Sequence, residues 1–236
     1  SRFKIACLPV EDFPVMAEGE LPHRFSIPAA ALRRLIDKTG FAISTEETRY
    51  YLNGIYLHAT SGDGPAALRA VATDGHRLAR VDTALPEGAA DIPGIIVPRK
   101  TVTELRKLID ETTDDIAVGL SETKIRFSFN NAVLTSKLID GTFPDYQRVI
   151  PKTHQHHVVI SRDALLHSLQ RASILTSDKF RGIRWVLGAN GLTIVANNSD
   201  QEEARDEMEV EYQGPEIDVG FNVNYLLDVL NNLKSE

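Results

Sequence analysis

An internal repeat limits the folds open to this sequence more than any other feature. Residues 26–110 and residues 159–234 pass through the same order of helix-like and strand-like segments, although few positions are identical. Four pairs of residues mark the correspondence: Leu32 with Leu165, Gly54 with Gly182, Ala72 with Ala196, and Val102 with Leu226. A repeat of this length predicts two copies of one structural unit that differ in their loops.

Each copy is predicted to contain a helix, two strands and a second helix. Apolar residues recur at spacings of three and four over residues 28–38, 99–111, 162–172 and 224–234, which is typical of amphipathic helices. Five residues suit the helix ends: Pro28 and Pro98 in a first turn, Ser161 and Asn222 as N-caps, and Gly40 as a terminator.

The first copy continues beyond its second helix, and the second copy does not. Over residues 116–138 apolar and polar residues alternate, as in an antiparallel sheet with one buried face. The second copy stops at Glu236, so we expect a truncated chain that lacks the equivalent strands. Residues 1–10 also alternate and predict a strand from a further copy. The predicted class is therefore α+β, with duplicated units.

Composition and charge restrict the function in two ways. Cys7 is the single cysteine of the 236-residue sequence, which excludes an intramolecular disulfide. No uncharged apolar stretch reaches the roughly 18 residues that a membrane-spanning helix needs. We expect a reduced, cytoplasmic protein. The net charge is −7, yet within the four predicted helices Lys and Arg outnumber Asp and Glu by ten to six. Two interpretations are open. The excess reflects only the good helix propensity of Lys and Arg, or the helices form a basic surface that contacts phosphates without sequence preference.

The segment VATDGHRLARVD (71–82) contains the strongest candidate for a catalytic site. Asp74 and His76 are two residues apart, which places them on one face of a strand in the manner of a general-base pair. No nucleophile motif accompanies them, and the second copy has Asn197-Asn198-Ser199-Asp200 at this place. A tight turn with Gly75 at an unusual backbone angle is the favoured interpretation, and a hydrolase is the rival.

Two further clusters have a structural and a functional interpretation. His154, His156 and His157 suggest a metal site, but they lie in a Pro-Lys-Thr context without acidic or thiol partners, which favours a solvated linker. Tyr50 and Tyr51 suit base stacking or simple packing against a sheet. No glycine-rich loop for phosphates is present, and we predict neither a metal nor a cofactor.

Several segments together resemble a known family. They are RYYLNGIYL (49–57), TDGHRLA (73–79), IVPRK (96–100), LTSKLIDGTFPDYQRVIP (134–151), SDKFRGIRW (177–185), ANNSDQEEA (196–204) and VGFNVNYLLDVLNNL (219–233). They resemble the bacterial DNA polymerase III beta subunits, the replicative sliding clamps, across essentially the whole chain. The resemblance implies DNA-clamp domains with antiparallel sheets outside and two helices each along an inner surface.

The resemblance also implies a function and partners. Clamps of this family are non-enzymatic homodimeric rings that encircle double-stranded DNA without sequence preference. They tether the polymerase III alpha subunit, the clamp loader and other clamp-motif proteins. By this resemblance residues 1–20 correspond to the end of a first domain, 21–146 to the second domain and 147–236 to an incomplete third domain.

Two sets of residues carry the implied contacts. The family's peptide pocket, between the second and third domains, maps onto a set that we call the docking surface: Leu52, Thr73, Gly75, His76, Arg77, Leu78, Pro144, Arg148, Val149, Phe180, Asn222 and Tyr225. The expected DNA-facing residues are Arg33, Arg34, Tyr50, Tyr51, Arg99, Lys100, Lys107 and Arg171. In the docking surface, His76 and Arg77 are expected to orient a peptide backbone while the apolar members bury its side chains.

Overall fold

The computed structural model describes residues 1–14, 16, 19–60, 64–177 and 180–234. Its helices and strands form two units, which we call the longer unit (His23–Lys137) and the shorter unit (Arg162–Asn232). Within the described ranges, no helix combines the length and the apolar character that crossing a membrane requires.

The longer unit has two sheets and two helices. Its elements are β1 (His23–Pro28), α1 (Ala29–Thr39), β2 (Gly54–Ala59), β3 (Ala67–Thr73), β4 (Leu78–Ala84), β5 (Ile95–Pro98), α2 (Arg99–Leu108), β6 (Asp115–Leu120), β7 (Lys124–Phe129) and β8 (Ala132–Lys137). The strands form antiparallel sheets in the orders β1-β6-β7-β8 and β4-β3-β2-β5. Leu32 and Leu35 of α1 and Leu105 of α2 are buried in one apolar core with residues of both sheets.

The shorter unit has one sheet and two helices among its described residues. Its elements are α3 (Arg162–Ser173), β9 (Gly182–Gly188), β10 (Gly191–Asn197), β11 (Glu203–Glu209), β12 (Ile217–Asn222) and α4 (Val223–Asn232). The antiparallel strand order is β11-β10-β9-β12. Leu169 of α3 and Leu192 and Ile194 of β10 are nearly inaccessible to solvent and form the centre of a second core.

The two units repeat the same arrangement around matching residues. The orders β4-β3-β2-β5 and β11-β10-β9-β12 have the same connectivity. The landmark pairs take equivalent positions: Leu32 and Leu165 are each fourth in the first helix, Val102 and Leu226 fourth in the second helix, Gly54 and Gly182 first in β2 and β9, and Ala72 and Ala196 sixth in β3 and β10. The predicted duplication and the α+β class are confirmed.

Some local predictions are wrong. Each unit has four strands between its helices rather than two, because β4 and β11 fold back as edge strands and β5 and β12 lead directly into the second helix. Helix α2 ends at Leu108, earlier than residue 111, and α4 covers Val223–Asn232 rather than 224–234. The side chains of Ser161 and Asn222 do cap α3 and α4.

The residues next to the first two helices also differ from expectation. Pro28 and Pro98 lie one residue before their helices instead of in the first turn, where the fixed backbone angle of proline still suits the approach. Gly40 does follow α1, but it keeps a right-handed conformation with φ −56°. Its lack of a side chain is therefore not needed to end the helix.

The strand predicted for residues 1–10 is not present. Phe3, Ile5 and Leu8 are exposed, and the only regular element described here is a 3-10 turn at Val10–Asp12. Alternating apolar residues form a strand only when a neighbouring strand accepts their backbone hydrogen bonds. None of the described strands pairs with this segment.

Two aromatic residues, Phe143 and Tyr146, hold the chain segment that follows the longer unit against the sheet that contains β2 and β3. Phe143 stacks on Tyr56 of β2 with ring centroids 4.8 Å apart and planes within 6°. Tyr146 Oη lies 3.1 Å from His58 Nε2 and accepts a hydrogen bond of 3.2 Å from Arg69 Nη1. This packing against the sheet fixes the positions of the neighbouring residues that belong to the docking surface.

The protonation state of His58 follows from its partners. Its Nδ1 lies 2.8 Å from the carbonyl oxygen of Ala59, which only accepts, so Nδ1 carries the hydrogen and Nε2 accepts from Tyr146. Burial lowers the pKa of His58 below its ordinary value of 6.5 and outweighs the hydrogen bond to the carbonyl of Ala59, which raises it. The charge of Arg69 adds to the lowering, and that of Asp82 opposes it. The fold therefore favours the neutral imidazole.

This arrangement predicts a pH-dependent stability. Because the pKa of His58 is lower in the folded chain than the ordinary 6.5, the contribution of His58 to stability is complete above pH 6.5 and is lost as the pH falls through its folded-state value. Urea unfolding followed from about pH 8 to about pH 5.5 checks this. His58→Gln should flatten the pH dependence, whereas His157→Gln, at an exposed position, should retain it. Equal slopes for the two variants would contradict the assignment.

Candidate functional site

A tight turn between β3 and β4 forms the centre of the candidate site. Gly75 has φ +87°, a conformation that strongly favours glycine, so the predicted turn is observed. Asp74 Oδ1 accepts backbone hydrogen bonds of 2.9 Å from both His76 and Arg77. Thr73 Oγ1 closes the turn by donating to the carbonyl of Arg77 at 2.6 Å. These contacts explain why this short polar segment adopts one defined shape.

The geometry of Asp74 is that of a structural residue and not of a catalytic partner. Burial acts to raise its pKa, but hydrogen bonds from the backbone of Arg77 and His76 and the guanidinium of Arg77 outweigh burial and lower the pKa. Its carboxylate contacts the backbone of His76, while the imidazole stacks on Tyr225 with centroids 6.0 Å apart. The paired acid and base that a hydrolase requires are therefore not formed here.

Arg77 joins the two units at a contact that we call the seam. Its Nη1 forms an ion pair with Asp228 of α4 in the shorter unit, and its Nη2 donates to the carbonyl of Phe41 at 2.7 Å. The guanidinium carbon lies 4.5 Å from the ring centroid of Tyr225. The side chain is only 18% exposed, so these interactions occur in partly desolvated surroundings. Sequence reasoning assigned Arg77 to the docking surface but missed Asp228.

The apolar part of the docking surface lies beside this turn. Leu52 is buried and Leu78 is half-buried in one small cluster with Val71, Ile96, Phe143 and Tyr146. Pro144, Arg148 and Val149 follow on the segment that this cluster anchors, and all three are exposed. Val149 is 69% exposed, which leaves an apolar side chain available to a ligand.

The remaining docking residues come from the shorter unit. Tyr225 faces the turn through its contacts with His76 and Arg77. Asn222 caps α4 by accepting a hydrogen bond of 3.0 Å from the backbone of Asn224. Phe180 is 67% exposed. The structure thus brings the turn and Tyr225 into contact across the seam, while Phe180 contributes exposed apolar area and Asn222 a structural cap.

Three of the expected DNA-facing residues meet at the start of α2. Tyr50, Arg99 and Lys100 line a concave surface of about 640 Å³. Pro98 at the N-cap supplies no side-chain hydrogen bond to the first turn of the helix. The backbone N–H of Arg99 already donates to the carbonyl of Asn53 at 2.9 Å. The positive end of the helix dipole still favours an anion at this position, and the two cationic side chains strengthen the effect.

Other expected DNA-facing residues are held by contacts within the chain. Arg33 donates to the carbonyls of Ile109, Asp110 and Thr112 at the end of α2, which is a structural role. Lys107 pairs with Glu104 at 3.0 Å, and Arg171 pairs with Asp206. Tyr51 packs against the cluster around Leu52. These four residues are consequently less available to a nucleic acid than Tyr50, Arg99 and Lys100.

A second cationic surface, which we call the seam cleft, was not anticipated. It has a volume of about 510 Å³ and is lined by Arg34, Lys38, Arg80 and Lys234 around apolar residues that include Phe41 and Leu78. Within the described part of the chain, none of these four cations forms an ion pair. The excess of Lys and Arg in the predicted helices includes Arg34, Lys38 and Lys234, whereas Arg80 lies on β4, and only folding brings the four together.

The histidine cluster has no metal-binding geometry. The rings of His154 and His157 are 5.8 Å apart, and His156 lies against Tyr212. All three histidines are exposed in the segment between the units. Across the ranges that the structure describes, no three His, Cys, Asp or Glu side chains are placed to hold a metal ion.

Comparison with known proteins agrees with this fold. Residues 26–145 match the model for the central domain of the DNA polymerase III beta subunit, and residues 147–236 match the model for its C-terminal domain. The beta sliding clamp of Caulobacter vibrioides is 45% identical over 233 residues, and that of Escherichia coli K12 is 44% identical over 238 residues. The matches cover 99% and 100% of this chain, and the chain spans 63% of the length of each relative.

A solved structure shows the same arrangement in three dimensions. The sliding clamp (DNA polymerase III subunit beta) of Bartonella birtlesii, bound to griselimycin, superposes with a TM-score of 0.94 at 46% identity and covers 99% of this chain, which spans 63% of it. The clamp of Pseudomonas aeruginosa gives a TM-score of 0.88 at 44% identity, with coverages of 100% and 63%. With its duplicated clamp fold and matches along nearly its whole length, this chain belongs to the DNA polymerase III beta subunit family.

Proposed function

We propose that this chain forms part of a processivity clamp that encircles double-stranded DNA and tethers replication and repair proteins. The observation that carries the proposal is the agreement of the fold with a sliding clamp over 99% of the chain, at a TM-score of 0.94. The protein holds DNA topologically and catalyses no reaction. Its partners are the polymerase III alpha subunit, the clamp loader and other clamp-motif proteins in the cytoplasm.

The proposed assembly is a closed homodimeric ring of the full-length protein. In this assignment residues 1–20 end the first domain, 21–146 form the second domain and 147–236 belong to the third domain. The units of this chain are related by the duplication described above, and clamp rings repeat such units around a central hole. The helices face the DNA and the sheets form the outside.

The DNA contacts are proposed to be weak and independent of sequence. Phosphate contacts by Lys and Arg hold a duplex in place but contain no information about its bases, so they permit sliding. The best candidates for these contacts are Arg99 and Lys100 at the start of α2 and Arg80 and Lys234 in the seam cleft, since none of them forms an ion pair within the described part of the chain. The other two cations of the cleft, Arg34 and Lys38, already donate to the carbonyls of Asp82 and Asn232. Arg33, Lys107 and Arg171 have a smaller role because they already bind groups within the chain.

The docking surface is proposed to hold a short apolar segment of each partner. Leu78, Val149 and Phe180 offer apolar area on both sides of the seam, and the turn around Gly75 gives their surroundings a fixed shape. Each large ligand side chain that becomes buried contributes roughly 1.5–3 kcal/mol, offset by the ordering of the peptide. Griselimycin, which the Bartonella relative binds, is a suitable probe of this surface.

Charge reversal at the start of α2 tests the DNA contacts. Arg99→Glu combined with Lys100→Glu in the full-length protein should weaken binding to a short duplex, because phosphate neutralisation is lost. Each lost phosphate contact lowers the slope of log affinity against log salt by about 0.9, which fluorescence anisotropy across salt concentrations measures. Lys137→Glu combined with Lys152→Glu, at exposed positions elsewhere, is the matched control. An unchanged slope in the first variant would count against this surface.

A charge placed on the docking surface tests ligand binding. Val149→Asp should weaken griselimycin binding by roughly ten- to a hundredfold, the equivalent of one lost apolar side-chain contact. Val133 is a matched control because it is 66% exposed, compared with 69% for Val149, and lies on β8. Isothermal titration calorimetry on the full-length protein should give unchanged affinity for Val133→Asp. Equal affinities for both variants would contradict the assignment of Val149 to the docking surface.

A further inference from the structure

We propose that Asp228 is a positioning residue of the docking surface, because it holds Arg77 and thereby fixes the two units in one relative orientation. The inference rests on the proposed function, since it concerns how the docking surface keeps its shape. Asp228 itself is outside the docking surface. Arg77 acts chiefly by holding the two units together, and not by hydrogen bonding to the backbone of a bound peptide.

The first support for this role is that Arg77 donates hydrogen bonds to three different parts of the fold. Its Nε donates to Asp74 Oδ2 at 3.1 Å, its Nη1 pairs with Asp228, and its Nη2 donates to the carbonyl of Phe41. These acceptors belong to the turn, to α4 and to the residues just after α1. A planar guanidinium has five N–H groups in a rigid fork, so engaging three separate acceptors restricts its orientation strongly.

The second support is the environment of the ion pair. The side chains of Arg77 and Asp74 are only 18% and 16% exposed, whereas Asp228 is 42% exposed. Asp74 is already engaged by the backbone of the turn to which Arg77 belongs. Asp228 is therefore the acid that links Arg77 to the other unit, and its removal leaves a largely buried cation with one fewer partner.

The third support is the arrangement of contacts along α4. Tyr225 and Asp228 are three residues apart, and Asn232 is four residues further, so all three lie on one face of the helix. Tyr225 packs on His76 and Arg77, and the carbonyl of Asn232 accepts a hydrogen bond from Lys38 of α1. The same face thus contacts the turn at one end and α1 at the other.

These contacts connect orientation with binding. The turn residues on the longer unit and Tyr225 on the shorter unit are the two walls of the docking surface, and Arg77 belongs to the first wall and contacts the second. A ligand that contacts both walls binds most tightly when the walls are already in place, because it does not lose affinity to ordering them. Loss of Asp228 allows the walls to separate although every residue that touches the ligand is still present.

The test compares two isosteric substitutions in the full-length protein. Asp228→Asn should weaken griselimycin binding by about fivefold or more, within the usual range of coupling between sites. Asp218→Asn removes an Arg–Asp pair from the same unit, the one with Arg184 between β12 and β9, and should leave the affinity unchanged. Circular dichroism checks that both variants are fully folded at the temperature of the titration.

A double-mutant cycle separates positioning from direct contact. In an Arg77→Ala background, Asp228→Asn should cause no further loss of affinity, because Asp228 acts through Arg77. Additive losses would overturn the inference, and so would an Asp228→Asn protein that binds like the wild type. These outcomes leave the docking proposal intact, since the wild-type protein still binds the probe.

A distance measurement keeps the inference testable if griselimycin does not bind to the wild type. That result contradicts the docking proposal alone. Spin labels on cysteines at Glu122 and Ala189, both exposed and in different units, report the relative orientation of the units once Cys7 and any other native cysteine are replaced by serine. Asp228→Asn should broaden the distance distribution and Asp218→Asn should not. Identical distributions would overturn the role of Asp228.

Discussion

The ion pair between Arg77 and Asp228 is the contact on which, in our proposal, the relative orientation of the two units depends. Each unit has its own apolar core, so the stability of either unit says little about their relative orientation. Arg77 joins the units by engaging the turn, α4 and the residues after α1 together. Because the docking surface has walls on both units, we infer that its shape is sensitive to the contacts of this guanidinium.

The duplicated fold separates two kinds of surface. Helix ends and the seam cleft present cations without intramolecular acid partners, while the edge strand β11 has acids at Glu203, Glu207 and Glu209. The net charge of −7 is thus compatible with contact to phosphates, since local charge and not the total decides such contacts within a screening length of about 10 Å at 0.1 M salt. Weak contacts of this kind suit the proposed clamp, which would hold DNA and still move along it.

Much of the fold could be predicted from the sequence because it depends on local patterns. The repeat placed Leu32 and Leu165 at equivalent helix positions, and Gly75 predicted the turn. Short strands such as β5 gave no clear alternation and were missed. The partner of Arg77 could not be predicted, since Asp228 is 151 residues away and no local pattern specifies contacts across a seam. For the same reason the sequence does not reveal that Arg33 binds the carbonyl of Ile109 or that Arg171 pairs with Asp206.

In the proposed function, the full-length protein holds DNA by encircling it. The most direct measurement loads the protein onto closed circular DNA with its clamp loader, removes the loader, and compares retention before and after the circle is cut once. Topological binding predicts that the protein stays on the closed circle and leaves rapidly through the ends of the linear molecule. Equal retention on circular and linear DNA would contradict the account, because contacts of that strength would hold the protein without a ring.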